Sequence, residues 1–496
     1  MFIDLATSTR KELDACDVAI VGAGAAGITL ALELEKSGLS VSILEGGQGA
    51  WTELSQNRYQ GEVSTSEGFS YPALDRWRLR YFGGTTNHWV GWCRRLEENV
   101  FTQRSNGLGE GWPFQRSDLE PDYQRAMELC TLGRDLFDAE TLTTEADLPV
   151  LVKATDVLAT PVWRFPKQLR FASYYRSRLS KSPVKIYFGA NCMGFTFEDK
   201  TSSPRASLVH IKNENGLDFE LSAKCFVLAG GGIENVRQLL IAAQSQKQIN
   251  RSGNLGLGFL EHPHGAVGAV LCGDHTPEDL DGVIGYPKDI DGTQFKVGVG
   301  LSEEVSAERG MMNTSFTLEP LQTIPREALH GDAIQSLWQS TQPAALGGTG
   351  SQVIGIYART EQRWNSASRV SLISAKDDLG AVRARLDWRV LAQDVADIRT
   401  SLGLVGGELL KAGFGPMTLG DPISFQTMEG GGHHLGGARM HLSADQGVVN
   451  ENSQCHGVDN LYAVGGSSFP TAGFSNPTLT IVALAVRLAR TLQERM

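Results

Sequence analysis

Residues 17–27 read Asp17-Val18-Ala19-Ile20-Val21-Gly22-Ala23-Gly24-Ala25-Ala26-Gly27, and the chain then stays apolar towards Ser37-Gly38 before Val41-Ser42-Ile43-Leu44-Glu45. Val18 to Val21 is short and apolar enough for a buried strand, the stretch from Ala25 to Ser37-Gly38 suits a helix, and Val41 to Leu44 suits a second strand. Gly22, Gly24 and Gly27 therefore form a GxGxxG turn between a strand and a helix, where its mechanism needs it. The first glycine permits the tight turn, the second lets a pyrophosphate approach the backbone, and the third lets helix and strand pack closely. Glu45 closes the second strand, near the place about twenty residues on where an acid meets ribose hydroxyls in such folds. The unit predicts an α/β, Rossmann-like dinucleotide-binding domain. The turn alone does not choose between NAD and FAD.

Working outward, Asn215-Gly216 marks a tight hairpin between Leu208–Ile211 and Phe219–Leu221, and Cys225 to Ala229 returns to a buried strand. Gly230-Gly231-Gly232 follows that strand and precedes the helix-like run from Glu234 to Ala243. Read by itself, this second glycine cluster is equally a crowded strand-to-helix turn or a further cofactor contact at Gly230. Val353 to Ala358, Arg369 to Ile373 and Val382 to Trp388 are strand-like and predict a second sheet. Leu461 to Val464 predicts a strand, and the chain ends in an apolar helix from Asn476 to Met496. Strand and helix units at both ends with a different texture between them predict a cofactor domain assembled from 14–100, 181–275 and 428–496. An inserted α+β substrate-binding domain is expected from 101–180 and 276–427.

The formal net charge of -11 argues against a nucleic-acid or anionic-membrane binder, either of which needs a basic face, and favours a neutral or cationic small substrate. Met1 to Cys16 has no apolar core of signal-peptide length, and no later run is long enough to span a bilayer. A cytoplasmic protein without membrane insertion is the expectation. The seven cysteines are scattered, with no CxxC spacing for zinc, a cluster or haem, so no metal site is expected.

Further motifs, in order, are Phe82-Gly83-Gly84-Thr85-Thr86-Asn87-His88-Trp89, Gly111-Trp112-Pro113, Leu260-Glu261-His262-Pro263, Glu361-Gln362 with Arg369-Val370, His433-His434-Leu435-Gly436-Gly437-Ala438-Arg439-Met440, and Phe469-Pro470-Thr471 with Ser475-Asn476-Pro477-Thr478. With the N-terminal turn, this ordered set resembles the glucose-methanol-choline family of FAD-dependent oxidoreductases over most of the chain. The resemblance implies FAD and oxidation of an alcohol CH–OH group. It places Gly22, Gly24, Gly27 and Glu45 at the ADP half, Gly83, Gly84, Asn87 and Trp89 along the flavin, and Cys192 against the adenine through its backbone. Gly230, Gly465, Pro477 and Thr478 complete the implied cofactor contacts. His88 stands where some similar proteins join the flavin covalently to a histidine. Where family members often carry an acid near the C-terminus, this chain reads Val464-Gly465-Gly466-Ser467.

Removing a hydride from a CH–OH carbon leaves a protonated carbonyl unless a base takes the hydroxyl proton, and histidine suits that task near neutral pH. His433 and His434 are the candidates. The family's spacing, a histidine seven residues before a methionine, selects His433. Asn476 occupies the partner position and can donate a hydrogen bond to the substrate oxygen. Asn476-Pro477 also reads as a helix start, with asparagine as N-cap and proline at the first helical position. His262 and His264 read as structural or polar wall residues.

The resemblance suggests a sugar, glycoside, aminosugar or other polyol as donor, with oxygen, a quinone or another acceptor reoxidising the flavin. The alternatives are a non-redox lyase of the same family, a non-catalytic flavin-binding protein and an NAD-dependent dehydrogenase. The last is disfavoured because only one nucleotide fingerprint is clear.

Overall fold

The helix after the glycine turn is apolar nearly all round because it is covered on two sides. In the structure, a computed structural model that describes residues 1–8, 12–198, 203–272, 275, 277–320, 353–419 and 428–496, this helix is α1 (Ala25–Leu34). Its Ile28, Leu30, Ala31 and Leu34 are fully buried between the sheet and the C-terminal helix α3 (Thr478–Arg495). The helix stops three residues before Ser37, whose hydroxyl donates to the Leu34 carbonyl at 2.7 Å as the chain turns through Gly38 at φ +82°.

Strand β1 (Cys16–Val21) lies at the centre of an eight-stranded sheet, parallel to β2 (Val41–Glu45) on one side and to the second half of β3 (Asp218–Leu228) on the other. Lys185–Phe188 and Phe2–Asp4 extend it beyond β2, and β6 (Leu461–Ala463) pairs with the end of β3, all parallel. The hairpin read at Asn215-Gly216 is present, with Gly216 at φ +78°. Its second arm does not end before Cys225, however. The two expected strands are one, β3, antiparallel to Arg205–Lys212 in its first half and parallel to β1 in its second. After β3, helix α2 (Gly232–Ser245) carries the chain away.

A second, antiparallel sheet runs in the order Met417–Leu419, β4 (Pro263–Leu271), β5 (Val353–Thr360), Thr314–Pro320, Val299–Leu301 and Leu158–Ala159. It packs its own core, with Val267, Val270, Phe316, Leu318, Ile354 and Ile356 buried against Ile398, Leu402 and Val405 of the helix Ala392–Lys411. Two expectations change here. The strand β4, placed by the sequence reading with the cofactor segments, is central to this second sheet, because its partner β5 lies some ninety residues downstream and only that pairing decides its sheet. Arg369–Lys376 and Val382–Trp388 do not join the second sheet either; they pair with each other and with Glu62–Thr65 in a separate three-stranded sheet.

All seven cysteines are buried and free of disulfides. Among the described residues, no helix is long and apolar enough to cross a membrane.

Candidate active site

One cavity runs from the glycine turn to the two histidines near the C-terminus, lined at one end by Gly22 to Ala26 and at the other by His433, His434 and Asn476. At the first end the three glycines do different work. A Cβ on Gly22, which sits at φ +108°, would stand 2.7 Å from the Ala229 carbonyl oxygen, and one on Gly27 would stand 2.0 Å from the Gly22 carbonyl oxygen. These two allow β1, α1 and the end of β3 to close on one another. A Cβ on Gly24 would meet nothing within 4 Å, so its backbone faces open cavity. Glu45 is buried and holds the turn, accepting from Ala23 N–H at 2.9 Å and Gly47 N–H at 2.8 Å.

The segment after Phe82 is strapped onto this turn. Gly83 N–H donates to the Ala23 carbonyl at 2.9 Å, and Asn87 Nδ2 returns to the Phe82 carbonyl at 2.9 Å. Gly84, His88 and Trp89 thereby reach the cavity wall, while Gly83 and Asn87 shape the loop behind it. Gly230, Gly465, Pro477 and Thr478 also line the cavity; Gly27 and Cys192 do not. Cys192 lies in the strand Asn191–Glu198, its carbonyl accepts from Gln238 Nε2 at 2.9 Å, and burial pushes its thiol up to about 12.

The wall fits a flavin dinucleotide. The first turns of α1, α2 and α3 all open onto the cavity, each offering unpaired N–H groups and the positive end of its dipole. Four buried polar atoms of lining residues lack a protein partner among the described residues: Arg78 Nη1, Trp77 Nε1, His264 Nε2 and Asn476 Oδ1. A buried orphan costs about 1–3 kcal/mol, so each is a hydrogen-bonding position for a bound group. Arg78 is a fitting anion partner: its other nitrogens donate to the Leu74 and Tyr59 carbonyls, and no carboxylate lies within salt-bridge distance among the described residues. With FAD bound, the α1 turn and Arg78 suit the phosphates, and the Gly84–Trp89 loop with the start of α3 suits the ring system.

At the far end, His433 Nε2 and Asn476 Nδ2 are 3.1 Å apart. His433 Nδ1 is 2.9 Å from His262 Nδ1, and His262 Nε2 is 3.3 Å from the Ala472 carbonyl oxygen. A carbonyl only accepts, so His262 carries its proton on Nε2 and presents a lone pair at Nδ1. His433 must then hold its proton on Nδ1 and leave Nε2 as the free base beside the Asn476 amide. Burial drives His262 down to about 4, and burial together with the neighbouring imidazoles and Arg359 holds His433 well below the usual histidine range. Both rings are thus neutral at neutral pH, as this relay of hydrogen bonds requires.

Buried carboxylates hold the relay in place. Glu261 Oε1 accepts from the backbone N–H of His433 at 2.7 Å and of His262 at 3.0 Å, and its Oε2 accepts from the Tyr71 hydroxyl at 2.8 Å. Glu97 accepts from Phe474 N–H and the Ser475 hydroxyl, and Glu361, paired with Arg104, accepts from Gly473 N–H. The loop carrying Ala472 and Asn476 is anchored at both edges. Burial raises both Glu261 and Glu97 to about 7.

One sequence expectation changes at this end. Asn476 does not cap α3, which begins at Thr478 with no side-chain cap; its amide is turned to His433 instead. His264 lines the cavity, and a nitrogen of each of His262 and His264 lies within 4.8 Å of one on His433. His434, by contrast, packs its ring near Tyr71 and Phe259, and its carbonyl oxygen crowds Gly232 and Gly466. The supporting residues Glu261 and Glu361 fall within motifs noted in the sequence but without a role there, and His262 is read there only as a structural or polar wall residue. Arg78 and Glu97 carried no signal, because nothing in their neighbourhoods tells a buried charge from a surface one.

Residues 17–251 match the family described as FAD dependent oxidoreductase, and residues 365–485 match the family described as GMC oxidoreductase. The chain is 23% identical to the 2-methyl-1,2-propanediol dehydrogenase of Mycolicibacterium austroafricanum, covering 97% of this chain and 96% of that one. It is also 23% identical to the fructose dehydrogenase large subunit of Gluconobacter japonicus, covering 97% and 98%. Among solved structures, formate oxidase superposes with a TM-score of 0.59 at 14% identity over 97% of this chain and 98% of that one. Pyridoxine 4-oxidase from Mesorbium loti superposes with a TM-score of 0.58 at 16% identity, covering 96% and 99%.

Proposed function

The chain belongs to the glucose-methanol-choline family of FAD-dependent oxidoreductases, and on that footing we propose that it oxidises a CH–OH carbon of a small polyhydroxylated compound, such as a sugar, glycoside, aminosugar or other polyol, with His433 as base and Asn476 as its partner. The observation that carries this reading is the 3.1 Å approach of His433 Nε2 and Asn476 Nδ2 on the wall of the cavity that begins at the glycine turn. The names of two relatives, a propanediol dehydrogenase and a fructose dehydrogenase, support an alcohol or sugar as donor.

FAD, when bound, supplies the hydride acceptor. An alcohol oxygen placed beside the pair accepts a hydrogen bond from Asn476 Nδ2 and donates its proton to His433 Nε2. The amide stabilises the alkoxide character that develops, and the base prevents a protonated carbonyl from forming. His262 keeps the accepting nitrogen of His433 free, and Glu261 holds both backbones. In the division of labour we propose, the first sheet with its flanking helices carries the cofactor and the second sheet walls the substrate. Reach across both explains why the catalytic residues follow β6 and the glycine loop at 430–432.

An anaerobic screen of alcohols for bleaching of the bound flavin tests the reading without assuming an acceptor. The purified protein is expected to be yellow, to release FAD, and to be bleached by a sugar or cyclitol faster than by hydrophobic alcohols. A protein that retains FAD and is bleached by no alcohol, or fastest by a long-chain alcohol, overturns it.

A further inference from the structure

Beyond the base, the cavity wall is formed by His264 of β4, Tyr357 and Arg359 of β5, Trp92 and Glu429. Arg359 makes no ion pair among the described residues, although Glu319 is near enough to act on its charge. Its guanidinium lies 4.2 Å from the Trp92 ring centroid and 4.8 Å from that of Tyr357. Its Nη1 donates to Thr317 Oγ1 at 2.6 Å. Among the described residues, none accepts from Nε or Nη2, and no carboxylate lies within 4.0 Å. Glu319, on the neighbouring strand, is engaged by the fully buried Lys296, whose Nζ is 3.6 Å from it, and Glu429 is exposed to solvent. An arginine has five N–H donors in one plane. With its charge over two aromatic rings and one donor given to Thr317, the guanidinium keeps donors in its plane for a carboxylate or phosphate.

We propose that Arg359 is an anion subsite, and that the alcohol oxidised here carries an anionic group, of the kind found in a sugar acid or other polyhydroxy acid. The inference rests on the reading of this cavity as the seat of alcohol oxidation and narrows its substrate class. It also runs against the chain's formal net charge of -11, but that is a sum over the whole chain, and a guanidinium on a cavity wall is screened far less than charges at the surface. The charge of Arg359 acts on both His264 and His433, so the anionic group sits within electrostatic reach of the reacting carbon. A carboxylate bound there offsets the cation and makes His433 easier to protonate, which strengthens the base only when the right substrate is present.

The test uses the FAD-loaded protein and two readouts. First, acetate and benzoate, and acetamide and benzamide as neutral counterparts, are titrated while the visible spectrum of the bound flavin is followed. The carboxylates are expected to perturb it with a Kd at least about tenfold below that of the amides, the usual worth of a hydrogen bond to a charged group. Arg359→Met should abolish that preference and Arg359→Lys should keep part of it. Second, a hexuronic acid and the hexose of the same configuration are compared in anaerobic flavin reduction, the acid being expected to half-saturate at lower concentration. Carboxylates that bind no better than amides, or equally well to Arg359→Met, overturn the proposal. Should that variant fail to fold, the carboxylate-to-amide ratio in the unmutated protein decides alone. If carboxylates bind through Arg359 and no alcohol of either kind reduces the flavin, alcohol oxidation fails and the anion subsite stands without its substrate role.

Discussion

Replacing His262 by leucine removes the acceptor for the His433 Nδ1 proton while roughly keeping the volume of the ring. In the unmutated protein the sequence of contacts, Ala472 carbonyl to His262 at 3.3 Å, His262 to His433 at 2.9 Å and His433 to Asn476 at 3.1 Å, forces Nε2 to be the free nitrogen. Without His262, the Nδ1 proton is buried with no partner, at a cost of about 1–3 kcal/mol. The other tautomer turns a lone pair instead of a proton towards the leucine, and its Nε2–H is met when the Asn476 amide rotates and offers Oδ1, which has no partner in the native arrangement. That tautomer has its proton where the substrate's proton must go. At about 1.4 kcal/mol for each factor of ten, flavin reduction at saturating substrate should slow by about ten- to a hundredfold, with FAD content and melting temperature little changed. His262→Gln should recover most of the rate, since its side-chain carbonyl can accept from Nδ1 while its amide donates towards Ala472. Anaerobic stopped-flow reduction of the flavin is the assay. Full speed in the leucine variant, or a glutamine variant as slow as the leucine one, refutes the tautomer argument.

His433→Ala should retain FAD and slow flavin reduction by about two to four powers of ten, the usual contribution of a positioned base; His434→Ala, which removes a packing residue, should cost far less, and equal losses in the two would show that the base is shared. Asn476→Ala should slow reduction with little loss of thermal stability, because its side chain caps no helix; a fall in stability of about 1 kcal/mol would reinstate the capping role. Gly22→Ala puts a Cβ at a positive φ and 2.7 Å from a backbone oxygen, so it should destabilise by at least about 1–3 kcal/mol and yield protein without FAD, measured by absorbance after purification. Glu261, raised to about 7 by burial, holds its proton more tightly folded than unfolded. Its contribution to stability is therefore present at low pH and lost as the pH rises from the ordinary carboxyl range through 7, by about 3 kcal/mol over that span. Glu261→Gln should show a smaller drop in melting temperature between pH 5 and pH 8 than the unmutated protein, and an identical drop would contradict the assignment. Finally, denatured protein should have the mass of the bare chain with FAD free in the supernatant; a mass increased by FAD would place a covalent bond, with His88 the first residue to check by peptide mapping.

The cofactor half was legible because its determinants are local. Gly22, Gly24, Gly27, the apolar runs on either side and Glu45 lie within one strand–helix–strand unit, so the spacing of the residues sets their meeting in space. The His433 and Asn476 pair was legible for a different reason, the resemblance of two separate motifs, which named both residues without showing what they touch. Tertiary structure decided the rest. β4 joins the second sheet because β5 offers a matching edge, and no property of either strand alone says so. Asn476-Pro477 has the composition of a helix cap, but the long-range approach of His433 turns the amide away from the helix. Arg359 and Glu261 are single charged residues in strand-like stretches. Their chemistry comes from being enclosed by distant aromatic rings and backbone amides, and enclosure depends on contacts that sequence spacing does not record.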